Sequence, residues 1–137
     1  MQVFRRDVLD GDGPAGHPVI VCTALLDLDL ATEAAARREL ARLAAGTAPV
    51  VVDASDVFVA VSGFRLLAEH VQGLRRSGRR AQLVVRRQVR RVSHLLGEPV
   101  GELCPTLPDA LVRARTPAAS ASRAVGAPGP GTAQSAR

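Results

Sequence analysis

Ser62 is the residue of this chain whose surroundings best suit chemistry, because Ser62-Gly63 stands where an apolar strand turns into a helix. A serine at a helix start can accept hydrogen bonds from the unpaired amides of the first turn. The positive end of the helix dipole would also tolerate a phosphate, which would add about two negative charges to the surrounding surface. Two interpretations of Ser62 therefore stay open, a structural N-cap and a phosphorylation site.

Four aspartates form a second candidate group, since Asp27, Asp29, Asp53 and Asp56 stand at or near the ends of apolar strands. Ligands of open α/β sheets bind at the carboxyl ends of the strands, so these carboxylates could hold Mg²⁺ or a nucleotide phosphate. Aspartates in such places more often organise turns. A Gly-rich phosphate loop is missing, because the run at 10–13 precedes a strand and not a helix. We expect turn-forming roles and no cofactor.

The histidines and cysteines do not have the spacing of a metal site or a disulfide framework. His17, His70 and His94 are far apart in the sequence, and an isolated helical histidine is usually a packing or surface residue. Cys22 and Cys104 belong to no CxxC motif. We expect two buried free thiols in a reducing cytoplasm, and no enzyme activity.

The positive charge of the chain comes entirely from arginine, with no lysine and a formal net charge of +5. The arginine runs at 75–80 and 86–91 could form a basic patch that binds nucleic acid. However, the chain has three Phe, no Trp and no Tyr, and therefore few side chains on which bases could stack. We expect a solvated basic face that reflects a composition rich in Ala, Arg, Gly and Val.

Apolar runs predict the strands of a sheet, at 3–9, 19–26, 50–52, 81–85 and, as a short edge strand, 100–104. The first two are joined by turn residues and suit a hairpin. The middle runs do not alternate between apolar and polar residues, which is typical of parallel strands covered on both faces. Right-handed crossovers would connect the parallel strands, and we expect the runs at 19–26, 50–52 and 83–85 to lie adjacent in the sheet.

Helical periodicity predicts four helices between and after these strands. The first follows Thr32, a suitable N-cap, and ends at Gly46; the second covers 62–76. A third covers 88–96, and Thr106 caps the last, which runs to about residue 113. In the third helix the inward residues are expected to be Val89, Val92 and Leu96, and the outward ones Arg90 and Arg91.

These elements predict one α/β domain over residues 1–115, with a mixed sheet of about four to five strands and about four helices mainly on one face. Residues 116–137 are small, polar and rich in Pro and Gly, and cannot bury enough apolar surface to offset their ordering entropy. We expect a disordered tail there. No apolar run approaches the roughly 18 residues of a membrane span.

The order of three short stretches resembles that of a STAS domain, the anti-sigma factor antagonist module, over residues 1–114. The stretch LDLDLAT at 26–32 is similar to the GELDLAT-like strand end of that family, with Leu26 in place of Gly. The strand VVVD at 50–53 and the ending PTLPDAL at 105–111 also resemble their counterparts in the family.

The regulatory switch of the family is an Asp-Ser-Ser-Gly or Asp-Ser-Thr-Gly motif at the start of the second helix, and this chain departs from it. Aligning Gly63 with the family Gly places Ala60 at the Asp and Val61 at the phosphoacceptor, after a loop that is one residue short. Ser62 then precedes the Gly, one position away from the usual acceptor. The resemblance therefore implies a module without the usual phosphorylation switch.

What the resemblance implies is a bacterial, cytoplasmic regulator of transcription that binds a GHKL-type serine-kinase anti-sigma factor through the second helix and its preceding loop. Two alternatives stay open, a STAS subunit of a larger assembly such as a lipid transporter, and a nucleic-acid-binding protein. The oligomeric state stays open as well. The expected partner-binding residues are Asp29, Asp56, Val61, Ser62, Gly63 and Arg65.

Overall fold

A computed structural model describes residues 1–11, 17–43, 45–96 and 103–115, so the expected tail at 116–137 lies outside the described residues. None of the helices in the described ranges is both long and apolar enough to cross a membrane. The elements are β1 (Phe4–Leu9), β2 (Val19–Ala24), α1 (Glu33–Leu43), β3 (Val50–Asp53), α2 (Val61–Arg76), β4 (Ala81–Val84), α3 (Arg87–Leu96) and α4 (Leu107–Ala114).

The described strands form a mixed sheet in the order β1-β2-β3-β4, and this confirms the predicted adjacency of the three apolar runs. β1 pairs antiparallel with β2, whereas β2, β3 and β4 are parallel, with Ile20 opposite Val50 and Val50 opposite Ala81. Of the expected edge strand, Cys104 forms an isolated parallel bridge to Val84. Residues 100–102 lie outside the described residues.

The sheet is covered on both faces, which explains why its strands are apolar without alternation. Ile20 and Val52 point into the larger core, together with buried residues of α1 and α2 and the half-buried Val89 of α3. Val21 and Val51 point into a smaller core beneath α4. Three of the described helices thus share one face, as the sequence predicts, while α4 covers the other.

The N-terminal strand is held by a carboxylate from α1. The buried side chain of Glu39 accepts hydrogen bonds from the backbone amides of Val3 and Phe4, at 2.8 and 2.9 Å. Two charge-assisted bonds satisfy the acid and both amides in the interior. They also fix β1 beside the first crossover helix.

Part of the first arginine run is used inside the protein, which corrects the expectation of a solvated face there. Arg79 is buried; its Nε donates to the carbonyl oxygen of Ala48 at 2.7 Å and its Nη1 to that of Leu43 at 3.1 Å. It thereby satisfies a carbonyl of the last turn of α1. Arg75 and Arg80 also donate to backbone carbonyls.

The orientation predicted for α3 is wrong in two respects. Val92 is 45% exposed, whereas Ser93 is buried and Arg90 is half-buried, with Nη1 donating to the carbonyl oxygen of Val85 at 2.9 Å. The inward stripe therefore runs from Val89 to Ser93. Periodicity could not decide this, because positions three and four residues after Val89 lie on either side of it. Ser93 can be buried because its hydroxyl donates to the carbonyl oxygen of Arg90.

Candidate functional site

Two loops at the carboxyl ends of β2 and β3 are joined into one surface. Leu28 forms a parallel bridge with Val59; its amide donates to the carbonyl oxygen of Phe58 at 2.8 Å, and its own carbonyl accepts from the amide of Ala60 at 2.9 Å. The carboxylate of Asp27 accepts from the amide of Phe58 at 3.0 Å. These bonds hold the loop that leads into α2 against the loop that leads into α1.

The start of α2 lies directly on this pair of loops. Gly63, in the first turn, is buried and packs against the backbone of Leu28, where a side chain would not fit. The position of the helix start relative to the β2–α1 loop is thus decided by the absence of a β-carbon at residue 63. Of the expected site residues, Gly63 supports the surface from within.

Among the aspartates at the strand ends, Asp29 and Asp53 organise turns, as expected. Asp29 accepts from the amides of Ala31 and Thr32 at 3.0 and 3.2 Å, and the hydroxyl of Thr32 donates to the carbonyl oxygen of Asp27. Thr32 stands immediately before α1, and its carbonyl accepts from the amide of Ala36. In the described part of the chain, no group of three or more acidic, histidine or cysteine side chains could hold a metal ion.

The N-cap interpretation of Ser62 is wrong. α2 begins at Val61, and its N-cap is Ala60, which is extended (φ −74°, ψ 167°) and offers no side-chain cap. The helix starts one residue earlier than the sequence predicts, because the hydrogen bond from the amide of Ala60 to the carbonyl oxygen of Leu28 holds Ala60 in the extended conformation that precedes the helix. Ser62 is the second helical residue and is half-buried, and the first turn has no acidic residue.

The exposed part of this surface is mainly apolar. Phe58 is 60% and Val61 45% exposed, and Leu30 projects from the neighbouring loop with 79% exposed. Asp56 and Arg65 are exposed as well, whereas Asp29 is half-buried. The structure therefore brings the expected partner-binding residues to one end of the sheet, around the start of α2.

A groove next to this surface was missed by sequence reasoning. It has a volume of about 430 Å³ and lies between the β3–α2 loop, the start of α2 and α3. The apolar residue Val92 of α3 is the sequence feature that could have indicated the groove, because its side chain faces the groove and not the core. We call this feature the α2–α3 groove; its main lining residues are Phe58, Val61, Phe64, Arg86, Val89 and Val92.

The α2–α3 groove is lined mainly by apolar side chains. Among the described lining residues Arg86 alone is charged, and its Nε donates to the carbonyl oxygen of Ser55 at 2.7 Å. The groups with shifted titration lie elsewhere. Burial raises the pKa of the Cys22 thiol to about 11, and burial, with Arg79 nearby, lowers the pKa of His70. Neither group lines the groove.

No protein-family model matches the sequence, and no curated protein matches it. Among solved structures, the chain is similar to an anti-sigma factor antagonist from Mycobacterium paratuberculosis, with 30% sequence identity and a TM-score of 0.65. The match covers 82% of this chain and 94% of that one. The fold, the order of the motifs and this match agree: the chain belongs to the STAS-domain family of anti-sigma factor antagonists.

Proposed function

We propose that this chain is a non-catalytic regulatory module that binds an anti-sigma factor of the GHKL serine-kinase type through the surface at the start of α2. The observation that carries the proposal is the exposure of Phe58, in the β3–α2 loop, and of Val61, at the start of α2, beside a β2–α1 loop that is hydrogen-bonded to the β3–α2 loop. Exposed apolar surface on a rigid support is typical of an interaction site. The similar solved structure is that of an anti-sigma factor antagonist, which supports an anti-sigma factor as the partner.

The residues at the start of α2 favour partner binding that is not controlled by phosphorylation. Val61 stands at the phosphoacceptor position of the family and has no hydroxyl group. Ser62 is half-buried and points about 100° around the helix axis from Val61, as successive residues of an α-helix do. A kinase aligned on position 61 would therefore not find an acceptor, and the chain would remain able to bind.

Titration against purified partners tests the binding. Each GHKL-type anti-sigma factor encoded by the source genome is titrated with the full chain by calorimetry. Val61→Asp places a charge in the apolar surface and should weaken binding at least tenfold. Val112→Asp is the matched control, because Val112 is 70% exposed on α4, across the sheet. Failure of every candidate to bind, or equal affinity for both variants, would contradict the proposal.

Mass spectrometry after incubation with the bound kinase and ATP tests the absence of a switch. The wild-type chain should carry no phosphate, and binding should be the same with ATP and with ADP. The double variant Ala60→Asp, Val61→Ser restores the family motif and should be phosphorylated at residue 61. Stoichiometric phosphate on Ser62 of the wild-type chain would overturn this part of the proposal.

Nucleic-acid binding is the less supported function, because most arginines of the first run are engaged by the protein itself. Arg75, Arg79 and Arg80 all donate to backbone carbonyls, and this limits their availability to phosphates. We expect weak binding to random duplex DNA at physiological salt. A micromolar or tighter complex in that assay would favour the nucleic-acid function instead.

A further inference from the structure

We propose that the α2–α3 groove binds an acidic, amphipathic segment of the partner protein. This segment buries apolar side chains in the groove and places carboxylates against the arginines of α3. The inference rests on the proposed function, and it names the chemistry of the partner segment. It adds α3 to the binding surface, although α3 was not among the elements expected to bind.

The shape and lining of the groove indicate an apolar occupant. Its volume of about 430 Å³ is within the range of roughly 300–1,000 Å³ found for ligand pockets in proteins. Phe64 is buried, Val89 is half-buried, and Val92 is exposed on the outer wall. Leu95 follows one turn along α3 and is exposed too. A helix that exposes Val92 and Leu95 to water gains stability when a partner covers them.

The charges around the groove indicate that the partner segment carries negative charge. Arg86 is the one charged residue among the described lining residues, and the segment 86–96 contains four arginines and one histidine but no aspartate or glutamate. The nearest carboxylate in sequence is that of Asp56, which is exposed in the β3–α2 loop. Arg87, Arg90 and Arg91 line a shallow depression on α3 beside Leu95. Carboxylates flanking the apolar residues of a partner would be attracted there, which speeds association and selects against basic partners.

Other occupants fit less well. Residues 116–137 of this chain contain no acidic residue, and Val125 is their largest aliphatic side chain. A second copy would bring the same arginines against each other, and like charges repel. An anionic bilayer would attract α3, but a broad headgroup surface would leave a concave groove unfilled. An acidic segment of a protein satisfies both the shape and the charge.

A synthetic peptide tests the chemistry of the groove directly. The probe is a fluorescein-labelled 16-residue helical peptide with leucines on one face and glutamates on the other. Its anisotropy should rise saturably with the wild-type chain, and amide resonances of residues 57–64 and 86–92 should shift on binding. Val92→Asp should weaken binding at least tenfold, whereas Val112→Asp should not change it. No shift in these segments at millimolar peptide would overturn the inference.

Charge reversal tests the second half of the inference. Arg91→Glu should weaken peptide binding several-fold and reduce its dependence on salt, because one attractive charge becomes repulsive. Arg38→Glu on α1, where Arg38 is also exposed, is the matched control and should have little effect. A peptide with lysines in place of the glutamates should not bind. Equal binding of the acidic and basic peptides would contradict the charge argument.

The partner titration separates this inference from the proposed function. If Val61→Asp and Val92→Asp both weaken the anti-sigma factor complex, both proposals are supported. If Val61→Asp weakens it and Val92→Asp does not, the function stands and the groove proposal is wrong. If neither weakens it, the proposed function fails as well. Sedimentation with phosphatidylglycerol vesicles that is lost in Val92→Asp, without peptide binding, would overturn the groove proposal in favour of a membrane surface.

Discussion

Gly63 lies so close to Leu28 that a β-carbon at residue 63 would stand 2.3 Å from the Leu28 carbonyl oxygen and 2.8 Å from its carbonyl carbon. Both neighbours are backbone atoms of a loop that is already hydrogen-bonded to the β3–α2 loop. The loop therefore cannot yield as the end of a flexible side chain could. The glycine is required by packing, and the proposed partner surface depends on it.

Gly63→Ala should destabilise the protein by about 1 to 3 kcal/mol, because the start of α2 must move away from Leu28. The loss should appear as a lower midpoint in urea unfolding with an unchanged slope. Partner binding should weaken too, since the shift displaces Val61.

The matched control for Gly63→Ala is Gly73→Ala in the same helix. A β-carbon at Gly73 would meet no atom within 4 Å. Alanine should therefore stabilise the protein there by about 0.4 to 1 kcal/mol through a less flexible unfolded chain. Equal effects of the two substitutions would show that helix propensity, and not the contact with Leu28, governs residue 63.

Glu39→Ala should cost about 2 to 4 kcal/mol of unfolding free energy, because it leaves the buried amides of Val3 and Phe4 without their acceptor. Hydrogen exchange should show these two amides losing protection first. Glu69→Ala, at an exposed ion pair with Arg37, should stay within about 0.5 kcal/mol of the wild type. Retained protection at Val3 in Glu39→Ala would contradict the assignment.

His70 should make the protein less stable in mild acid. Burial is the main cause that lowers its pKa in the folded state below the ordinary value of 6.5, and the nearby Arg79 guanidinium adds to the shift. As the pH falls below 6.5, the unfolded chain binds the proton more readily than the folded chain. Stability therefore decreases from about pH 6.5 down to the lowered pKa, and His70 adds no pH dependence above that range.

Urea unfolding at pH 7.5 and 5.5 measures this effect. His70→Leu should reduce the difference in stability between the two pH values, since it removes the group that titrates. His94→Gln is the control, because His94 is exposed on α3, and it should keep the difference of the wild type. The same pH difference in wild type and His70→Leu would assign the effect to another group.

Ser62→Ala should change the unfolding free energy by less than about 0.5 kcal/mol, because the N-cap of α2 is Ala60. Thr106→Ala is the contrast: the hydroxyl of Thr106 accepts from the amide of Asp109 at 3.3 Å, and its loss should cost about 1 kcal/mol. Thermal unfolding of both variants checks the comparison. A loss at Ser62 as large as that at Thr106 would show that Ser62 has a structural role after all.

The candidate site could be predicted in part. The order of the motifs located the surface at the start of α2, and the sequence alone shows that residue 61 is a valine without a hydroxyl. Periodicity could not find the α2–α3 groove, because it depends on which side of α3 faces the core. Helical spacing from Val89 allows either Val92 or Ser93 to face the core. In the structure Ser93 faces the core, and the hydrogen bond from Arg90 to the carbonyl oxygen of Val85 is formed in that orientation.

The sequence by itself determined the elements and the class of the fold. Continuous apolar runs at 19–24 and 50–52 require strands covered on both faces, and helical spacing in α1 and α2 requires one buried stripe each. These are local patterns, so they can be recognised without knowing what any residue contacts. They were sufficient to indicate a mixed sheet and the adjacency of its parallel strands.

Only the tertiary structure decided the contacts between distant residues. Glu39 meets the amides of Val3 and Phe4 across more than 30 residues of sequence, and Gly63 meets Leu28 in another loop. Nothing local distinguishes Glu39 from an exposed glutamate or Gly63 from a flexible one. The difference arises when the sheet register brings the segments together, because unpaired amides and overlapping atoms cost free energy only at close approach.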